Sequence, residues 1–160
     1  MPTEDSITFS AVIEKLTREI EKAKSLVETA GGSQRERRVF VHVTSQVIKP
    51  VLHHLIDEMG FRHLSTITGL DLGSEIQVIY HLANEGFIVS LVVPVDPATP
   101  TLPTITDILP GAILYEREIH DLFGVRFEGH PKLSPLILPE NWPSQIHPLR
   151  KNWRKEDRTT

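Results

Sequence analysis

Residues that could act in metal binding are grouped on one predicted helix in the second half of the chain. Glu116 and His120 are four residues apart, so they share a helix face and could supply two metal ligands. A structural zinc site takes about four ligands, and no other candidate shares that helix at ligand spacing. We therefore expect an exposed ion pair between Glu116 and His120, or no interaction. His53 and His54 are adjacent, which places them on different helix faces and makes them a poor metal pair.

The same helix carries two carboxylates that could act as acid and base, Glu118 and Asp121. No nucleophile motif and no glycine-rich phosphate loop accompanies them, which disfavours catalysis by this chain. Arg117 stands four residues before Asp121, a spacing that predicts an ion pair. An exposed pair of this kind contributes only a few tenths of a kcal/mol, so we expect it to orient the helix against a partner.

Two motifs follow the helix. Gly124 is expected to end it in the left-handed conformation, with Phe123 and Phe127 packing as a hydrophobic clasp. Contact of these aromatic residues with a partner is the alternative, and both could hold. Gly129-His130-Pro131 predicts a turn in which the imidazole bonds a backbone group, whereas a proton carrier near a redox centre is the alternative.

The rest of the chain is a proline-rich tail. Five prolines exclude a helix or a central strand from it: Pro131, Pro135, Pro139, Pro143 and Pro148. Its large apolar residues, which disordered tails usually lack, indicate order against its own surface or a partner's. They are Phe123, Phe127, Leu136, Ile137, Leu138, Trp142 and Trp153. The run His147-Pro148-Leu149-Arg150-Lys151 is either a solvated end or a site where an arginine meets a carboxylate of another subunit.

Composition limits the function classes further. The 160 residues suit one domain, with 39% hydrophobic and 24% charged residues. A net charge of -4 and a pI of about 6.0 argue against binding to nucleic acid or anionic lipid. The absence of cysteine excludes disulfides, a thiolate nucleophile and cysteine-ligated zinc or iron–sulfur clusters. The N-terminus has no secretory signal, and no apolar run approaches the roughly 18 residues of a membrane span.

Hydrophobic periodicity predicts an α+β fold with two layers: helices pack on one face of a mixed, mainly antiparallel sheet, and an extended Pro-rich tail follows. The predicted helices are Phe9–Ala30, ended by Gly31-Gly32, Val47–Met59, ended by Gly60, and Ala112–Leu122. The predicted strands are Arg37–Thr44, Arg62–Leu70, Glu75–Ala83 and Phe87–Val95, with a helical turn at Ile105–Leu109. We expect an α+β domain over 1–123, which holds all core elements, and a tail over 124–160 that docks on a partner subunit.

The charged helix and the tail together carry a recognisable motif. It reads Glu116-Arg117-Glu118-Ile119-x-Asp121-Leu122-Phe123-Gly124-Val125-x-Phe127-x-Gly129-His130-Pro131, followed by His147-Pro148-Leu149-Arg150-Lys151. This motif resembles that of the NuoC-type subunit, the C-type subunit family of NADH dehydrogenase. The family belongs to the peripheral arm of complex I and to its relatives: membrane-bound energy-converting NiFe hydrogenases, formate hydrogenlyases and methanogen dehydrogenases. The segment that carries the motif covers about a quarter of the chain.

The resemblance implies a non-catalytic assembly subunit without a cofactor of its own. Iron–sulfur clusters, and in some complexes a NiFe centre, would lie in partner subunits. The implied partners are the large NiFe-hydrogenase-like protein, which is the D-type subunit of complex I, and the small iron–sulfur subunit, with the membrane arm contacted indirectly. The implied location is peripheral, at the cytoplasmic face of the cell membrane. The motif residues that would form the partner interface are Glu116, Arg117, Glu118, Asp121, Phe123, Gly124, Phe127, Gly129, His130, Pro131, His147, Pro148, Leu149, Arg150 and Lys151.

Two departures from the complex I pattern bear on the branch of the family. Residue 120 is His, where complex I members more often have Trp, and the link before His147 contains Pro139-Glu140-Asn141-Trp142-Pro143. These features favour the hydrogenase and formate hydrogenlyase branch, and the same subunit in a respiratory NADH:quinone dehydrogenase is the alternative. An alternative of another class is a free-standing small-molecule binding domain, which should have a pocket and a tail folded onto its own surface.

Overall fold

The described part of the chain forms a five-stranded mixed sheet with two helices and a small second sheet. The computed structural model describes residues 27–33, by their backbone, and residues 37–154. The strands of the large sheet are β1 (Val27–Ser33), β2 (Arg38–Val43), β3 (His63–Asp71), β4 (Ile76–Asn84) and β5 (Phe87–Val95), in the order β1-β2-β5-β4-β3. The helices are α1 (Ile48–Asp57) and α2 (Ala112–Phe123). The parallel strands β6 (Thr101–Pro103) and β7 (Arg126–Glu128) form the second sheet.

The sheet is mainly antiparallel because β3, β4 and β5 are joined by short turns. Gly73 and Gly86 lie in these turns at φ +89° and +79°, a region that glycine occupies without a steric penalty. Strand β2 runs parallel to β5, since the chain passes through α1 and the meander before it returns beside β2. The predicted α+β class with a mixed, mainly antiparallel sheet is confirmed.

The core lies on one face of the sheet, to which every second side chain of a strand points. On β4 every second side chain is fully buried, which is the period expected of a strand with one covered face. Helix α1 buries Ile48, Leu52 and Leu55, and Pro50 lies in its first turn, where a helix tolerates proline. The chain leaves this helix through Gly60 at φ +74°. Burial of each large aliphatic side chain contributes about 1.5–3 kcal/mol to folding.

One helix prediction is wrong in its last part. Residues 9–26 of the predicted helix Phe9–Ala30 lie outside the described residues. Its last residues belong to the strand Val27–Ser33. This strand pairs antiparallel with β2, and Gly31, expected to stop a helix, lies opposite Phe40 in the ladder. Pairing with a neighbouring strand decides the conformation here, and helical spacing read from one segment cannot reveal it.

The core also extends past the boundary that the sequence indicated. All core elements were expected to lie before Gly124, but Val125 and Phe127 are buried and β7 pairs with β6. This expectation was wrong because three residues form a strand too short to show alternation. The predicted turn at Ile105–Leu109 is confirmed by a bond of 2.8 Å from the Leu109 N–H to the Ile105 carbonyl.

Candidate interface built on helix α2

Helix α2 carries the first residues of the motif, and the later motif residues pack against it. It packs against β3 at Gly69, where a Cβ atom would overlap the ring of Phe123. Gly124 ends the helix at φ +75°, in the left-handed conformation predicted for it. A Cβ atom on Gly124 would overlap the imidazole of His147. Glycine is therefore needed at residue 124 for its backbone angle and for the approach of the tail.

Glu116 is a fully buried carboxylate on the inner side of this helix. Its Oε2 accepts a hydrogen bond of 2.6 Å from the Thr104 hydroxyl, and its Oε1 accepts one of 2.8 Å from the Ile105 N–H. Burial raises the pKa of Glu116 to about 7, against the opposing effect of these two donors. No Glu116–His120 pair forms, which is the second of the two expected outcomes, but Glu116 is buried rather than exposed. His120 instead uses Nδ1 to bond the Val125 carbonyl at 2.9 Å.

His130 holds the turn after β7, as predicted. Its Nδ1 accepts the Lys132 N–H at 3.1 Å, so its Nε2 carries the hydrogen and donates to the Ile113 carbonyl at 3.1 Å. The same Nε2 lies 4.0 Å from Glu116 Oε2. Nearby, burial and then the charge of Glu116 raise the pKa of the Tyr80 hydroxyl, which has no hydrogen-bond partner in the described part of the chain.

Asp121 fixes the tail to the helix. Its Oδ2 accepts the N–H groups of Leu136, Ile137 and Leu138 at 2.7, 2.8 and 3.3 Å. A carboxylate that accepts several backbone N–H groups forms charge-assisted bonds, which are stronger than neutral ones. These bonds give Asp121 a role in holding the tail to the helix.

Arg117 also bonds the tail, and the predicted ion pair between Arg117 and Asp121 is wrong. The Arg117 Nε donates to the Ser134 carbonyl at 2.8 Å, and Nη2 donates to the Pro135 carbonyl at 2.7 Å. Both charges meet backbone groups of the tail, because the proline-rich segment forms no helix or strand and leaves its carbonyl and N–H groups without regular partners. These bonds of Arg117 and Asp121 hold residues 134–138 against helix α2.

The His147-Pro148-Leu149 run caps the end of helix α2. The His147 Nδ1 donates to the Asp121 carbonyl at 2.9 Å, and the Leu149 N–H donates to the Leu122 carbonyl at 3.1 Å. These carbonyls belong to the last helical turn, where no partner exists within the helix. Burial lowers the pKa of His147, although its bond to Asp121 opposes the shift.

The end of the tail reaches β3. The Arg150 Nη2 donates to the Pro97 carbonyl at 2.7 Å, and the Lys151 N–H donates to Asp71 Oδ2 at 2.9 Å. Asp71 also accepts the Gly73 N–H at 2.7 Å. Partial burial raises the pKa of Asp71, but these two N–H groups and the charges of Arg150 and Lys151 together lower it. Sequence reasoning missed Asp71, Pro97 and Thr104, because only the fold brings them to the motif.

The tail is therefore ordered on the surface of its own domain, yet it exposes large aliphatic side chains. Leu136, Ile137 and Leu149 are 38%, 54% and 52% exposed. Glu116, Phe123 and Phe127 are buried within this chain, so they can support an interface only by positioning the residues above them. Gly129, at φ +83°, turns the chain toward His130 and Pro131 at the start of the tail.

The clefts on the described surface include two near the residues discussed above. One, of about 210 Å³, is lined by residues at the end of the tail, between Gln145 and Trp153. The other, of about 470 Å³, is open and lies between residues 45–49 and β6; at its rim Lys49 binds Asp107 at 2.9 Å. Over residues 37–154, no three His, Asp or Glu side chains stand close enough together to hold a metal ion. Neither α1 nor α2 has the length and apolar character needed to cross a membrane.

Comparison with known proteins gives consistent matches. Residues 41–159 match the family model described as the respiratory-chain NADH dehydrogenase 30 kDa subunit. The C subunit of NADH-quinone oxidoreductase from Roseiflexus castenholzii is 39% identical over 76% of this chain and 73% of its own length. The C/D subunit of NADH-quinone oxidoreductase from Methylococcus capsulatus is 46% identical over 47% of this chain and 13% of its own length. A chain of the membrane-bound sulfane sulfur reductase, an archaeal respiratory membrane complex, superposes with a TM-score of 0.74 and 29% identity, covering 90% of this chain and 86% of that one.

Proposed function

Because the chain belongs to the family of the 30 kDa subunit of respiratory-chain NADH dehydrogenase, we propose that it is a non-catalytic assembly subunit whose tail binds the large D-type subunit. Its relatives are subunits of complex I-like, membrane-associated respiratory complexes. The observation that carries the proposal is the tail itself. Its backbone is fixed to helix α2, while three large aliphatic side chains along it face outward.

A tail held in this way is suited to binding. Asp121 and Arg117 fix the backbone of residues 134–138 before any partner arrives, so little conformational entropy is lost on docking. The exposed Leu136, Ile137 and Leu149 supply apolar surface of the kind that interface centres bury. Glu118, Lys151 and other charged motif residues would surround this surface as a polar rim.

The identity of the partner is supported by a relative. The Methylococcus capsulatus protein carries the C and D designations in one name, which favours the D-type subunit as the neighbour of this chain. On the family resemblance, the small iron–sulfur subunit is a second partner, and the membrane arm is contacted indirectly. The chain itself would hold no cofactor, and iron–sulfur clusters, with a NiFe centre in a hydrogenase-type complex, would lie in partner subunits. The complex would sit at the cytoplasmic face of the membrane.

The branch of the family is a separate proposal. His120 and the link Pro139–Pro143 favour an energy-converting hydrogenase or formate hydrogenlyase, with complex I proper as the alternative. In the structure His120 bonds the Val125 carbonyl at 2.9 Å, so its imidazole ties the helix end to the chain that follows. Assay of the purified native complex for hydrogen evolution and for NADH or quinone oxidoreduction distinguishes the branches.

Co-purification with the D-type subunit of the same complex tests the tail proposal. We expect the variant Leu136→Ser/Ile137→Ser/Leu149→Ser to stay folded by circular dichroism and to lose binding. Leu114→Ser is the matched control, since Leu114 is 55% exposed on helix α2 and lies outside the tail. Binding of the triple variant equal to that of the control would contradict the proposal.

The free-standing binding domain is the second candidate. It is favoured by the hydrogen bonds that tie the tail to its own domain and by the open cleft of about 470 Å³. Under this alternative the chain purifies alone from cells that express the whole complex, and it retains a small molecule. Removal of residues 132–160 separates the two candidates, because under the assembly proposal the remaining domain folds but no longer joins the complex.

A further inference from the structure

The last turn of the tail holds two hydrogen-bond donors without an acceptor. Arg150 Nη2 donates to the Pro97 carbonyl at 2.7 Å, which orients the guanidinium group. Arg150 Nη1 and Trp153 Nε1 are both buried, and neither has a hydrogen-bond partner within the part of the chain that the structure describes. Both nitrogens can only donate, so only an acceptor from elsewhere can satisfy them.

The two donors belong to one small site. The backbone N–H of Trp153 donates to the backbone carbonyl of Arg150 at 3.1 Å, which closes a tight turn between the two residues. Arg150 and Trp153 line the same cleft of about 210 Å³, together with Gln145, Ile146, His147 and Asn152. This volume is several times the roughly 30 Å³ of a liquid water molecule, so the cleft has room for a small side-chain group. Gln145 and Asn152, which line the cleft, are exposed, and entry of a ligand group requires the side chains of this lining to move aside.

The charges at this site select the chemistry of its ligand. Arg150 and Lys151 are adjacent cations, and Asp71 is already engaged by the backbone N–H groups of Lys151 and Gly73. Buried charges in proteins are normally paired, and a guanidinium group is suited by geometry to a carboxylate. A carboxylate offers two oxygens in one plane, one for each donor, whereas an amide carbonyl offers a single oxygen.

We propose that Arg150 and Trp153 form a receptor for a carboxylate side chain, an Asp or a Glu, of the large D-type subunit. This inference rests on the proposed function, because the cleft lies in the same tail as the exposed Leu149. One of the two alternatives that the sequence left open was that Arg150 meets a carboxylate of another subunit. The structure divides that role: one nitrogen holds the tail on its own domain, and the other, with the indole of Trp153, receives the partner.

The substitution Trp153→Phe tests this receptor, since it removes the N–H group and keeps an aromatic ring. Affinity for the purified D-type subunit is measured by biolayer interferometry, and stability of the full chain alone by urea unfolding. We expect binding to weaken about tenfold, as for loss of one charge-assisted bond, with no change in the urea midpoint. Trp142→Phe is the matched control, because its indole bonds the Ile146 carbonyl at 2.7 Å, and we expect it to lower the urea midpoint.

Other results overturn the inference in distinct ways. If Trp153→Phe binds as tightly as the wild-type chain, the receptor is refuted while the proposed function stands. If Trp153→Phe lowers the stability of the chain alone, its indole N–H group is satisfied within this chain and the receptor is refuted. If the wild-type chain does not bind the D-type subunit, the proposed function fails and the receptor with it.

Discussion

Substitution of the buried carboxylate of Glu116 should change how stability depends on pH. Burial raises the pKa of this group from 4.5 to about 7, while the Ile105 N–H and the Thr104 hydroxyl oppose the shift. Asp107 raises the pKa further and Lys49 lowers it, and His130 Nε2 lies 4.0 Å from the carboxylate. The charge of Glu116 also raises the pKa of the Tyr80 hydroxyl.

The raised pKa of Glu116 decides whether the free energy of unfolding rises or falls with pH. The folded state holds the Glu116 proton more tightly than the unfolded state does, so deprotonation favours unfolding. Protonated Glu116 contributes its full stabilisation below pH 4.5. This stabilisation is lost as the pH rises to about 7, and above that pH the free energy of unfolding no longer changes through this group. A shift of about 2.5 units corresponds to about 3 kcal/mol, at about 1.4 kcal/mol per unit.

Glu116→Gln mimics the protonated form, because its amide can donate to the Thr104 hydroxyl while its oxygen still accepts the Ile105 N–H. Urea unfolding of the variant and of the wild-type chain at about pH 5 and pH 8 provides the measurement. We expect the variant to gain about 2.5 kcal/mol relative to wild type between the two pH values, because part of the contribution is already lost at pH 5. Glu118→Gln, on the same helix and partly exposed, should show no such gain. An equal difference at both pH values would refute the reasoning.

Three further predictions concern packing and the tail. Gly124→Ala should cost at least about 1–2 kcal/mol for the left-handed angle and more for displacement of His147, whereas Gly111→Ala, with open space around it, should be nearly neutral in urea unfolding. Asp121→Ala should speed amide hydrogen exchange at residues 136–138 by more than tenfold while the helical circular dichroism is unchanged. Leu52→Ala should cost about 2–5 kcal/mol, since Leu52 is fully buried, and the exposed Leu114→Ala less than about 0.5 kcal/mol.

Local patterns in the sequence predicted the elements whose stability is local. Helix α2 and its end at Gly124 could be predicted because hydrophobic spacing and a glycine at the terminus act within one or two turns. The meander β3–β5 could be predicted because short glycine turns leave antiparallel pairing as the only geometry. Strand β1 could not be predicted, since its conformation depends on hydrogen bonds to β2.

The motif itself was visible in the sequence, and through it the family, because residue identities alone carry a resemblance. The partners of the motif residues were decided by the tertiary structure. Spacing along a helix suggested that Arg117 would pair with Asp121, but both meet backbone groups of the tail. A charged side chain bonds whichever donors or acceptors the fold leaves unpaired nearby, and a proline-rich segment folded across the helix supplies them. The burial of Glu116 and the orphaned donors of Arg150 and Trp153 are likewise properties of packing between segments distant in the chain.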